Sequence, residues 1–596
     1  MTARLASLPE FDPLPHREAL VGIVRAVVAR IAAGNLDEDA FDGILRRHPR
    51  DGRGFFSRAD IIAGYRAFFD EKSLGVSEGA FLASVQRRPV RTQSGVTPLT
   101  LLTKPFPCPG QCIFCPNDVR MPKSYLADEP GAQRAAANRF DPYLQVWNRL
   151  AAYRAIGHPT DKVEIIVLGG TWSFYPEAYQ IWFAARCFEA LNDFGSGIDV
   201  RKRVEPSAPR FEQLPARLDG REHVANPYNR VVQGFLRQQQ GGELVPASER
   251  ADWDRLVAAQ RANESAGRRS VGFVVETRPD HVTEEEVLRI RRLGATKVQI
   301  GIQSLDDAVL AANRRGHDVA ATRQAVGRLR RAGFKIHAHW MPNLLGATPE
   351  SDIEDFARLF ADPAIRPDEL KIYPCSLIES AELMHHHERG EWHPYTHDEL
   401  LEVVTNALAH VPGYCRVTRV IRDISSDDIV VGNKRTNFRQ LAEQALTKRG
   451  GVCRDIRARE IRADDFDPER LVLRSTIYDA GVSEEHFFEF VTPEERIVGF
   501  LRLSLPREKS FVAELGESAV IREVHVYGAS LGLGDRADDK AQHQGLGRRL
   551  VEAAAGCART AGYRRLSVIS AVGTRGWYRR LGFESAGLYQ LRDVRP

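Results

Sequence analysis

Between residue 97 and residue 374 the chain alternates short apolar runs typical of strands with longer amphipathic runs typical of helices. The strand-like runs cover 98–103, 163–168, 271–276, 297–302, 335–339 and 369–373. The helical runs between them cover 131–156, 178–192, 283–293, 319–332 and 351–360. Such alternation predicts parallel strands with helices packed outside them. Because six units are fewer than the eight of a closed barrel, we predict a partial (β/α)6 barrel with its active site at the C-terminal ends of the strands.

A chain of 596 residues is too long for one core, so we expect further domains around this barrel. Residues 1–90 are predicted to form a small helical N-terminal domain. The barrel takes 91–374, with an insertion at 195–267 that is rich in Pro, Arg, Gln and Glu. Residues 375–465 are interpreted as a linker, and 466–596 as a second α/β domain with strands near 471–478, 486–490, 496–504, 519–526 and 566–570. The fold class is therefore α/β multidomain.

The composition is that of an ordinary globular protein, with 43% apolar residues and a net charge of +4. No apolar run reaches 18 residues, so we expect no membrane span. Residues 1–15 lack the apolar core of a signal peptide. Eight cysteines in this length do not indicate a disulfide scaffold, and thiol chemistry of the kind described next needs a reducing compartment. We therefore expect a cytoplasmic protein.

Three cysteines lie within eight residues, directly after the first predicted strand. Cys108, Cys112 and Cys115 form the pattern C-x3-C-x2-C. A cubane iron–sulfur cluster usually takes four thiolates, so three of them predict a 4Fe–4S cluster with one iron open to a small molecule. The usual molecule is S-adenosyl-L-methionine, whose reduction yields a carbon radical that no side chain can supply. The alternatives are a zinc knuckle or three incidental cysteines, but zinc sites more often pair C-x2-C units.

Polar and glycine residues follow other predicted strands at the same end of the barrel. Glycine lets backbone approach a ligand closely, so Gly169, Gly170 and Thr171 after the second strand are candidates for S-adenosylmethionine contacts. Glu276 and Gln303, at the tips of the third and fourth strands, are further candidates. The alternatives are an ordinary Gly-Gly turn and interior polar groups that are satisfied by hydrogen bonds.

A second motif lies in the C-terminal domain. The pattern Q-x-x-G-x-G places Gln542, Gly545 and Gly547, with Leu546 between the glycines, before a helix that opens near Arg548. Backbone N–H groups at such a helix start form an anion cradle, and GNAT acetyltransferases hold the coenzyme A pyrophosphate in this way.

Three further residues of this domain are candidates for acid–base chemistry. Tyr578 stands where GNAT enzymes place a tyrosine that protonates the thiolate leaving group, and the alternative is a buried core aromatic. Glu523 and His525, on the strand that would pair with pantetheine, are candidate bases.

The linker contains three cysteines and a histidine cluster. Cys375, Cys415 and Cys453 have His385, His386 and His387 in the same region. Thiolates and imidazoles are zinc ligands, but no C-x2-C pair is present. A structural zinc site and plain core residues both stay open.

Two cofactor motifs on one chain are typical of one family. The chain resembles the catalytic subunit of Elongator, a fusion of a radical-SAM domain with a GNAT domain that modifies the tRNA wobble uridine. The similar strings lie at 91–95, 104–108, 141–145, 161–164, 169–171, 276–280, 301–304, 313–317, 370–374, 453–457, 525–528, 542–545 and 578–582. The resemblance implies a radical-SAM partial barrel followed by a C-terminal GNAT domain.

The resemblance also implies roles for particular residues. Cys108, Cys112 and Cys115 would bind the cluster, and Lys162 would contact acetyl-CoA from the barrel. Acetyl-CoA would further be bound by Tyr578 and by two segments, namely Glu523, Val524, His525 and Val526, and Leu546, Gly547 and Arg548.

The activity implied is a radical transfer of the acetyl methyl carbon to C5 of uridine 34, followed by thioester hydrolysis to 5-carboxymethyluridine. The partners would be the tRNA anticodon stem-loop and an electron donor such as a flavodoxin or ferredoxin; accessory Elongator-type subunits stay open. Two other functions are weighed against it. A protein lysine acetyltransferase with a vestigial cluster would acetylate an amine without needing Cys112. A non-catalytic tRNA-binding scaffold would bind without turnover.

Overall fold

The computed structural model describes residues 11–51, 54–70, 74–86, 95–215, 218, 227–461, 466–527 and 545–595. Its N-terminal part is helical, as predicted. The helices there are Arg17–Ala32, Glu38–Arg47, Arg58–Phe68 and Glu78–Val85. They enclose a small hydrophobic core of their own, which is separate from the main core of the molecule.

The central part is built on a sheet of seven parallel strands in sequential order. The strands are β1 (Val96–Leu102), β2 (Lys162–Leu168), β3 (Arg269–Thr277), β4 (Lys297–Gln303), β5 (Lys335–Trp340), β6 (Glu369–Ile372) and β7 (Arg416–Val420). All six predicted strands are present. The open, curved order of the sheet confirms a partial barrel, because β1 and β7 do not pair with each other.

Helices occupy the connections between these strands and the segment that follows β7. They are Pro130–Ala137, Pro142–Ala155, Glu177–Ser196, Pro227–Gln239, Trp253–Asn263, Glu284–Arg292, Asp307–Ala312, Val319–Arg331, Pro349–Ala361, Leu383–Glu388, His397–His410, Phe438–Lys448 and Ile456–Arg459. Several begin at a capping side chain that the sequence dictates. Thr283, Asp318 and Thr348 each accept a hydrogen bond from a backbone N–H three residues later. Such caps satisfy N–H groups that the first turn leaves unpaired, and thereby fix where each crossover helix starts.

Residues 375–465 are more than a linker. β7 lies in this segment and pairs in parallel with β6, from Glu369 opposite Arg416 to Ile372 opposite Val420. The half-barrel therefore has one strand more than the sequence analysis predicted. The run is short, and Arg416, Thr418 and Arg419 make three of its five residues polar, so its apolar content did not mark it as a buried strand.

The inserted segment 195–267 returns to the barrel. Its helix Trp253–Asn263 packs against Glu177–Ser196, and its helix Pro227–Gln239 lies beside the loop that follows β1. The segment is thus part of the wall and mouth of the barrel.

The C-terminal part is a second seven-stranded sheet. Its strands are β8 (Val472–Asp479), β9 (Ser483–Val491), β10 (Ile497–Pro506), β11 (Ala519–Val526), β12 (Arg565–Val568), β13 (Glu584–Ala586) and β14 (Tyr589–Asp593), with helices Leu546–Thr560 and Arg575–Arg580. All neighbours are antiparallel except β11 and β12. β11 pairs with β12 only from Ala519 to Ile521, so its second half leaves its neighbour and opens the sheet.

The two sheets are joined by buried charges. Arg522 on β11 donates to Asp368, which precedes β6, at 2.6 and 2.8 Å. It also donates to Glu485 at 2.6 Å, and Arg502 lies 3.5 Å from Asp368. These four side chains are almost inaccessible to solvent. Among the residues that the structure describes, no helix combines the length and the apolar character needed to cross a lipid bilayer.

Candidate functional site

Three thiols lie together at the C-terminal ends of the barrel strands, which we call the mouth. Cys108, Cys112 and Cys115 belong to the loop that follows β1, and all three are buried. Asn229 fixes the start of this loop: it accepts from the Cys108 N–H at 2.9 Å and donates to the Cys108 carbonyl at 2.8 Å. Asn229 comes from the inserted segment, and no sequence pattern singled it out.

Positive side chains surround these thiols. Arg315 donates to the Cys112 sulfur at 3.0 Å, and Arg278 lies 3.8 Å from the same atom. The hydrogen bond from Cys115 and the charge of both guanidinium groups hold the pKa of Cys112 well below its usual value, against the effect of burial. Lys123 is buried nearby, with its ammonium 4.9 Å from the Tyr228 ring centroid. Buried cations compensate the negative charge that thiolates bring into the interior.

This donor set fits an iron–sulfur cluster better than a single ion. Within the described part of the chain, no three His, Cys, Asp or Glu side chains converge around a point that one metal ion could occupy. In a cluster each thiolate binds a different iron atom, so the sulfurs need not converge. The three thiols share one loop and face buried cations, as an anionic cluster requires.

The predicted glycine turn lies beside the thiols. Gly169 and Gly170 follow β2 with φ of 126° and 73°. A Cβ on Gly169 would stand 2.1 Å from the Thr103 hydroxyl, so only glycine lets the β2 loop pack against the β1 loop. The Thr171 hydroxyl is 3.7 Å from the Cys108 sulfur. The sequence motif therefore reaches the thiol loop.

Glu276 and Gln303 also lie at the mouth. Burial raises the pKa of Glu276, whose carboxylate is 3.7 Å from His339. Gln303 has a φ of 68°, and its buried side-chain oxygen has no hydrogen-bond partner in the structure. Asn343, three residues after β5, has a φ of 66°. A positive φ strains the backbone of a non-glycine residue, and such strain tends to accumulate at functional sites.

The interior of the half-barrel is polar along its length, and we call this face the lumen. Its side chains come from alternate positions of adjacent strands: Glu164, Lys297, Gln299, Lys335, His337, His339, Glu369 and Lys371. Alternate residues of a strand share one face, so all of these point to the same side.

The lumen residues contact one another from the N-terminal ends of the strands to the mouth. Near the N-terminal ends, Lys297 bridges Glu164 at 2.8 Å and Glu369 at 3.1 Å. Nearer the mouth, Gln299 accepts from Lys371 at 2.5 Å and contacts His339 at 3.0 Å. Barrel interiors are usually filled by branched apolar residues, so this lining indicates a functional passage. The alternating polar residues in 297–299, 335–339 and 369–371 were the sequence signal that could have identified it.

A cavity of about 880 Å³ opens below the lumen, between the N-terminal ends of the barrel strands and the second sheet. It reaches Lys162, Arg269 and Lys335 on the barrel side. On the other side it is lined by Glu523, Val524, His525, Val526, Gly545, Gly547, Arg548 and Tyr578. The cavity therefore brings together Lys162 and most of the predicted C-terminal residues. Gln542 lies outside the described residues, and the Leu546 side chain is buried in the core.

A helix start faces this cavity. Gly545, with a φ of 70°, precedes the helix Leu546–Thr560, and Arg548 lies in its first turn. A Cβ on Gly547 would come within 3.3 Å of Trp577. The free N–H groups of a helix start and an adjacent guanidinium form a site for a phosphate group.

The candidate acid–base residues differ in their environments. Lys335 lies 2.5 Å from Glu523 and Arg502 lies 2.9 Å from it; although burial opposes ionisation, these cations lower the pKa of Glu523. Burial lowers the pKa of His525 to about 4. Burial, and then the charge of Glu523, raise the pKa of Tyr578. At neutral pH, Glu523 is thus a paired carboxylate, His525 a neutral imidazole and Tyr578 a protonated phenol.

The zinc prediction for the linker is not supported. Cys375 and Cys415 are buried separately, and burial raises the pKa of Cys375 and of Cys453 to about 12. His386 pairs with Glu391 at 2.6 Å, and His387 contacts the Trp392 carbonyl. These thiols and imidazoles do not converge on one point, so no zinc site forms from the described residues.

Comparison with known proteins agrees with this architecture. The chain matches the Radical SAM superfamily over 246–360, the Radical SAM C-terminal domain over 367–448 and the Acetyltransferase (GNAT) family over 455–583. The C-terminal radical-SAM match covers β6 and β7, in line with a barrel that continues past residue 374.

Several curated relatives are similar over most of their length. A tRNA uridine(34) acetyltransferase of Dehalococcoides mccartyi is 35% identical over 85% of this chain and 99% of its own. One from Methanocaldococcus jannaschii is 32% identical over 95% and 97%, respectively. Human Elongator complex protein 3 is 31% identical over 86% and 87%.

A solved structure extends this similarity to the fold. The structure of Methanocaldococcus infernus Elp3 with its N-terminus deleted is similar with a TM-score of 0.65 at 30% identity, covering 84% of this chain and all of that one. The chain therefore belongs to the family of Elongator complex protein 3 and the tRNA uridine(34) acetyltransferases, which combines a radical-SAM half-barrel with a GNAT domain.

Proposed function

We propose that this protein modifies the wobble uridine of tRNA, using acetyl-CoA and a radical derived from S-adenosylmethionine to form 5-carboxymethyluridine. One observation carries the proposal. A thiol set with the charge environment of a cluster and a cavity with the features of a coenzyme A site lie at the two ends of the same half-barrel. Neither a plain lysine acetyltransferase nor a scaffold needs both.

At the mouth, Cys108, Cys112 and Cys115 would hold a 4Fe–4S cluster, which supplies the electron that converts bound S-adenosylmethionine into a carbon radical. The chain's own residues bind and orient this cofactor. The backbone of the glycine turn at Gly169 and Gly170 would accept from its amino group, and Thr171 stands beside Cys108. The orphaned amide oxygen of Gln303 and the Glu276 carboxylate are further acceptors.

In the cavity, the start of the helix Leu546–Thr560 and Arg548 bind the pyrophosphate of acetyl-CoA. Lys162 and Arg269 add positive charge from the barrel side. Tyr578 keeps its proton at neutral pH and donates it to the departing thiolate. His525 is neutral, and its imidazole can accept a hydrogen bond from the water that attacks the thioester. Glu523, held by Lys335 and Arg502, positions the barrel against the second sheet and is a poor base.

The reactants bound at the two ends of the half-barrel must meet inside it. β2 runs from Lys162 in the cavity to Leu168 beside the mouth, a length of about 20 Å at a rise of about 3.3 Å per residue. A radical does not act across that distance. We infer that the acetyl group and the uracil ring approach each other through the polar lumen, where Lys371 and Gln299 offer a hydrogen-bond donor and an acceptor.

The remaining partners follow from this chemistry. An unstacked anticodon base reaches the mouth in the way that proteins recognise single-stranded RNA. Reduction at the cluster uses a low-potential donor such as a flavodoxin or ferredoxin. Cytoplasmic localisation stays a prediction.

The test uses full-length protein with its cluster reconstituted anaerobically. It is incubated with tRNA, S-adenosylmethionine, acetyl-CoA and dithionite, and the nucleosides are separated after digestion of the tRNA. We expect 5-carboxymethyluridine at position 34, and none with Cys112→Ala. A lysine acetyltransferase would acetylate an amine equally well with Cys112→Ala. A scaffold would bind tRNA without releasing 5′-deoxyadenosine, and either of these outcomes would overturn the proposal.

A further inference from the structure

The three thiols at the mouth have unequal neighbours. The Cys108 sulfur is 3.7 Å from the Thr171 hydroxyl, and the Cys115 sulfur is 3.2 Å from the Ser124 hydroxyl. The Cys112 sulfur instead faces two guanidinium groups, with Arg315 at 3.0 Å and Arg278 at 3.8 Å. The Cys108 and Cys115 sulfurs thus have a hydroxyl as hydrogen-bonding neighbour, with the buried Lys123 near Cys115, whereas the Cys112 sulfur faces guanidinium groups.

Both guanidinium groups are held in place. Arg315 is 5% exposed and donates with its other nitrogen to the Gly301 carbonyl at 2.7 Å. Arg278 is 7% exposed, and Asp280 binds it at two points, each at 3.0 Å. Arg278 also donates to the Arg315 carbonyl, so the two residues support each other. A group fixed in this way cannot turn to solvent when the charge beside it changes.

The thiol loop leaves space for this contact. A Cβ on Gly110 would lie 2.3 Å from an Arg278 nitrogen. Glycine at this position is therefore what allows the Arg278 guanidinium to reach the sulfur two residues later. The glycine of the loop and the two arginines together form a preorganised environment around Cys112.

Hydrogen bonds to a ligand sulfur and nearby positive charge stabilise a cluster in its more negative state, and so raise its reduction potential. A charge-assisted donor is about twice as strong as a neutral one. In a buried site the effect is larger than in water, because screening is weak. The arrangement around Cys112 therefore favours acceptance of an electron.

We propose that Arg315, supported by Arg278, tunes the cluster of this enzyme by donating hydrogen bonds to the Cys112 thiolate, which makes reduction by a low-potential donor easier. This inference rests on the proposed cluster. In the step concerned, one electron passes from the donor to the cluster. No bond forms or breaks, no proton moves, and both guanidinium groups stay charged. Arg315 and Arg278 are positioning residues in this scheme, since they act through the sulfur.

The test is an anaerobic redox titration of reconstituted full-length protein, followed by electron paramagnetic resonance. For Arg315→Gln we expect the ratio of reduced to oxidised cluster at a fixed potential to fall about tenfold, which is 59 mV for a one-electron couple. Arg278→Gln should give a smaller fall, since its contact is longer. Arg314→Gln is the matched control, because the exposed Arg314 side chain pairs with Glu382 at 2.6 Å and not with a thiol.

Iron and sulfide content is measured on every variant, so that a lost cluster is not mistaken for a shifted potential. Where Arg315→Gln loses iron, Arg315→Lys and Arg278→Gln replace it in the titration, and a lower reduced fraction in either supports the proposal. Unchanged potentials in variants with full clusters would overturn it. Weaker S-adenosylmethionine binding at an unchanged potential would also overturn it, since the guanidinium groups would then act on the ligand. The titration uses neither tRNA nor acetyl-CoA, so its result is independent of uridine modification.

Discussion

The mouth and the cavity lie at opposite ends of the same parallel strands, yet they are built in different ways. The mouth consists of loops that follow single strands, and its three thiols lie within eight residues of sequence. The cavity has one wall from the barrel and one from a sheet that begins about three hundred residues after Lys162. In most barrels the N-terminal face serves stability and only the C-terminal face carries chemistry. Here a second domain covers the N-terminal face and turns it into a binding surface.

This difference indicates that each site can lose its ligand without affecting binding at the other. Both sites nevertheless depend on the stability of the same folded molecule. The mouth needs its loop and the arginines around it. The cavity exists only while both sheets are in contact, and that contact depends on charges buried between them, chiefly Arg522 with Asp368. Four substitutions test this comparison.

Loss of a thiol should have the largest effect and should be confined to the mouth. We expect Cys115→Ala to abolish uridine modification and to lower the iron content of the reconstituted protein sharply, because a cluster with two thiolates is poorly held. Acetyl-CoA binding, measured by calorimetry, should stay unchanged. Cys557→Ala is the control, since this half-buried thiol lies in the helix Leu546–Thr560 of the C-terminal part and not in the loop. Loss of acetyl-CoA binding in Cys115→Ala would contradict the separation.

Removal of a charge between the sheets should weaken the whole molecule. Asp368→Asn removes the carboxylate that Arg522 and Arg502 share, leaving Arg522 with Glu485 and Arg502 with Glu523, and breaking a buried pair in this way typically costs about 3–5 kcal/mol. We expect a correspondingly lower free energy of unfolding in urea at pH 7, together with weaker acetyl-CoA binding. A change below about 1 kcal/mol would show that these charges do not hold the joint.

The same variant predicts a pH dependence. Burial by itself would raise the pKa of Asp368, but Arg522 and Arg502 outweigh it and hold this pKa well below its usual value. The folded protein therefore gains stability from Asp368 above the unfolded pKa of about 3.9, and loses it as the pH falls below that value. The difference in unfolding free energy between Asp368→Asn and the unchanged protein should be constant from pH 8 to pH 5 and shrink in stronger acid. A difference that already shrinks above pH 5 would exclude this cause.

Loss of the phenol in the cavity should reduce turnover without affecting the mouth. Tyr578→Phe removes the proposed proton donor, and we expect product formation to fall about a hundredfold, within the usual range for general acid catalysis. Iron content and acetyl-CoA affinity should stay close to those of the unchanged protein. Tyr563→Phe is the matched control, because its hydroxyl donates to the Pro506 carbonyl outside the cavity. Equal rates for Tyr578→Phe and the control would assign Tyr578 to packing alone.

A surface ion pair between the same two domains should have the smallest effect on the free energy of unfolding. Arg579 pairs with Glu264 at 2.7 Å and is 44% exposed. Arg575 contacts the same carboxylate at 3.0 Å and remains in Arg579→Gln. We expect the free energy of unfolding to change by less than about 1 kcal/mol, as is usual for exposed pairs. A loss of unfolding free energy as large as that of Asp368→Asn would show that the surface pair, and not the buried charges, holds the two domains together.

Much of this architecture could be predicted from the sequence, because it depends on residues that are close to one another along the chain. The period of apolar residues marked six barrel strands and most of the second sheet, and side-chain caps such as Thr283 and Asp318 mark helix starts. The thiol motif, the glycine turn at Gly169 and the pattern around Gly545 are each contiguous. Their chemistry could therefore be assigned before their position in space was known.

Other features depend on tertiary contacts. β7 carries too little apolar sequence to be recognised, and it becomes a strand only because β6 offers it an unpaired edge. The cysteines of the linker resembled zinc ligands, but the fold buries them apart. Arg315 reaches Cys112 across 203 residues of chain, and Lys335 reaches Glu523 across 188. The sequence alone determined which chemical groups are present and where strands and helices begin. Only the folded structure decided which of these groups meet, because burial and ion pairing depend on distances between segments that local sequence does not encode.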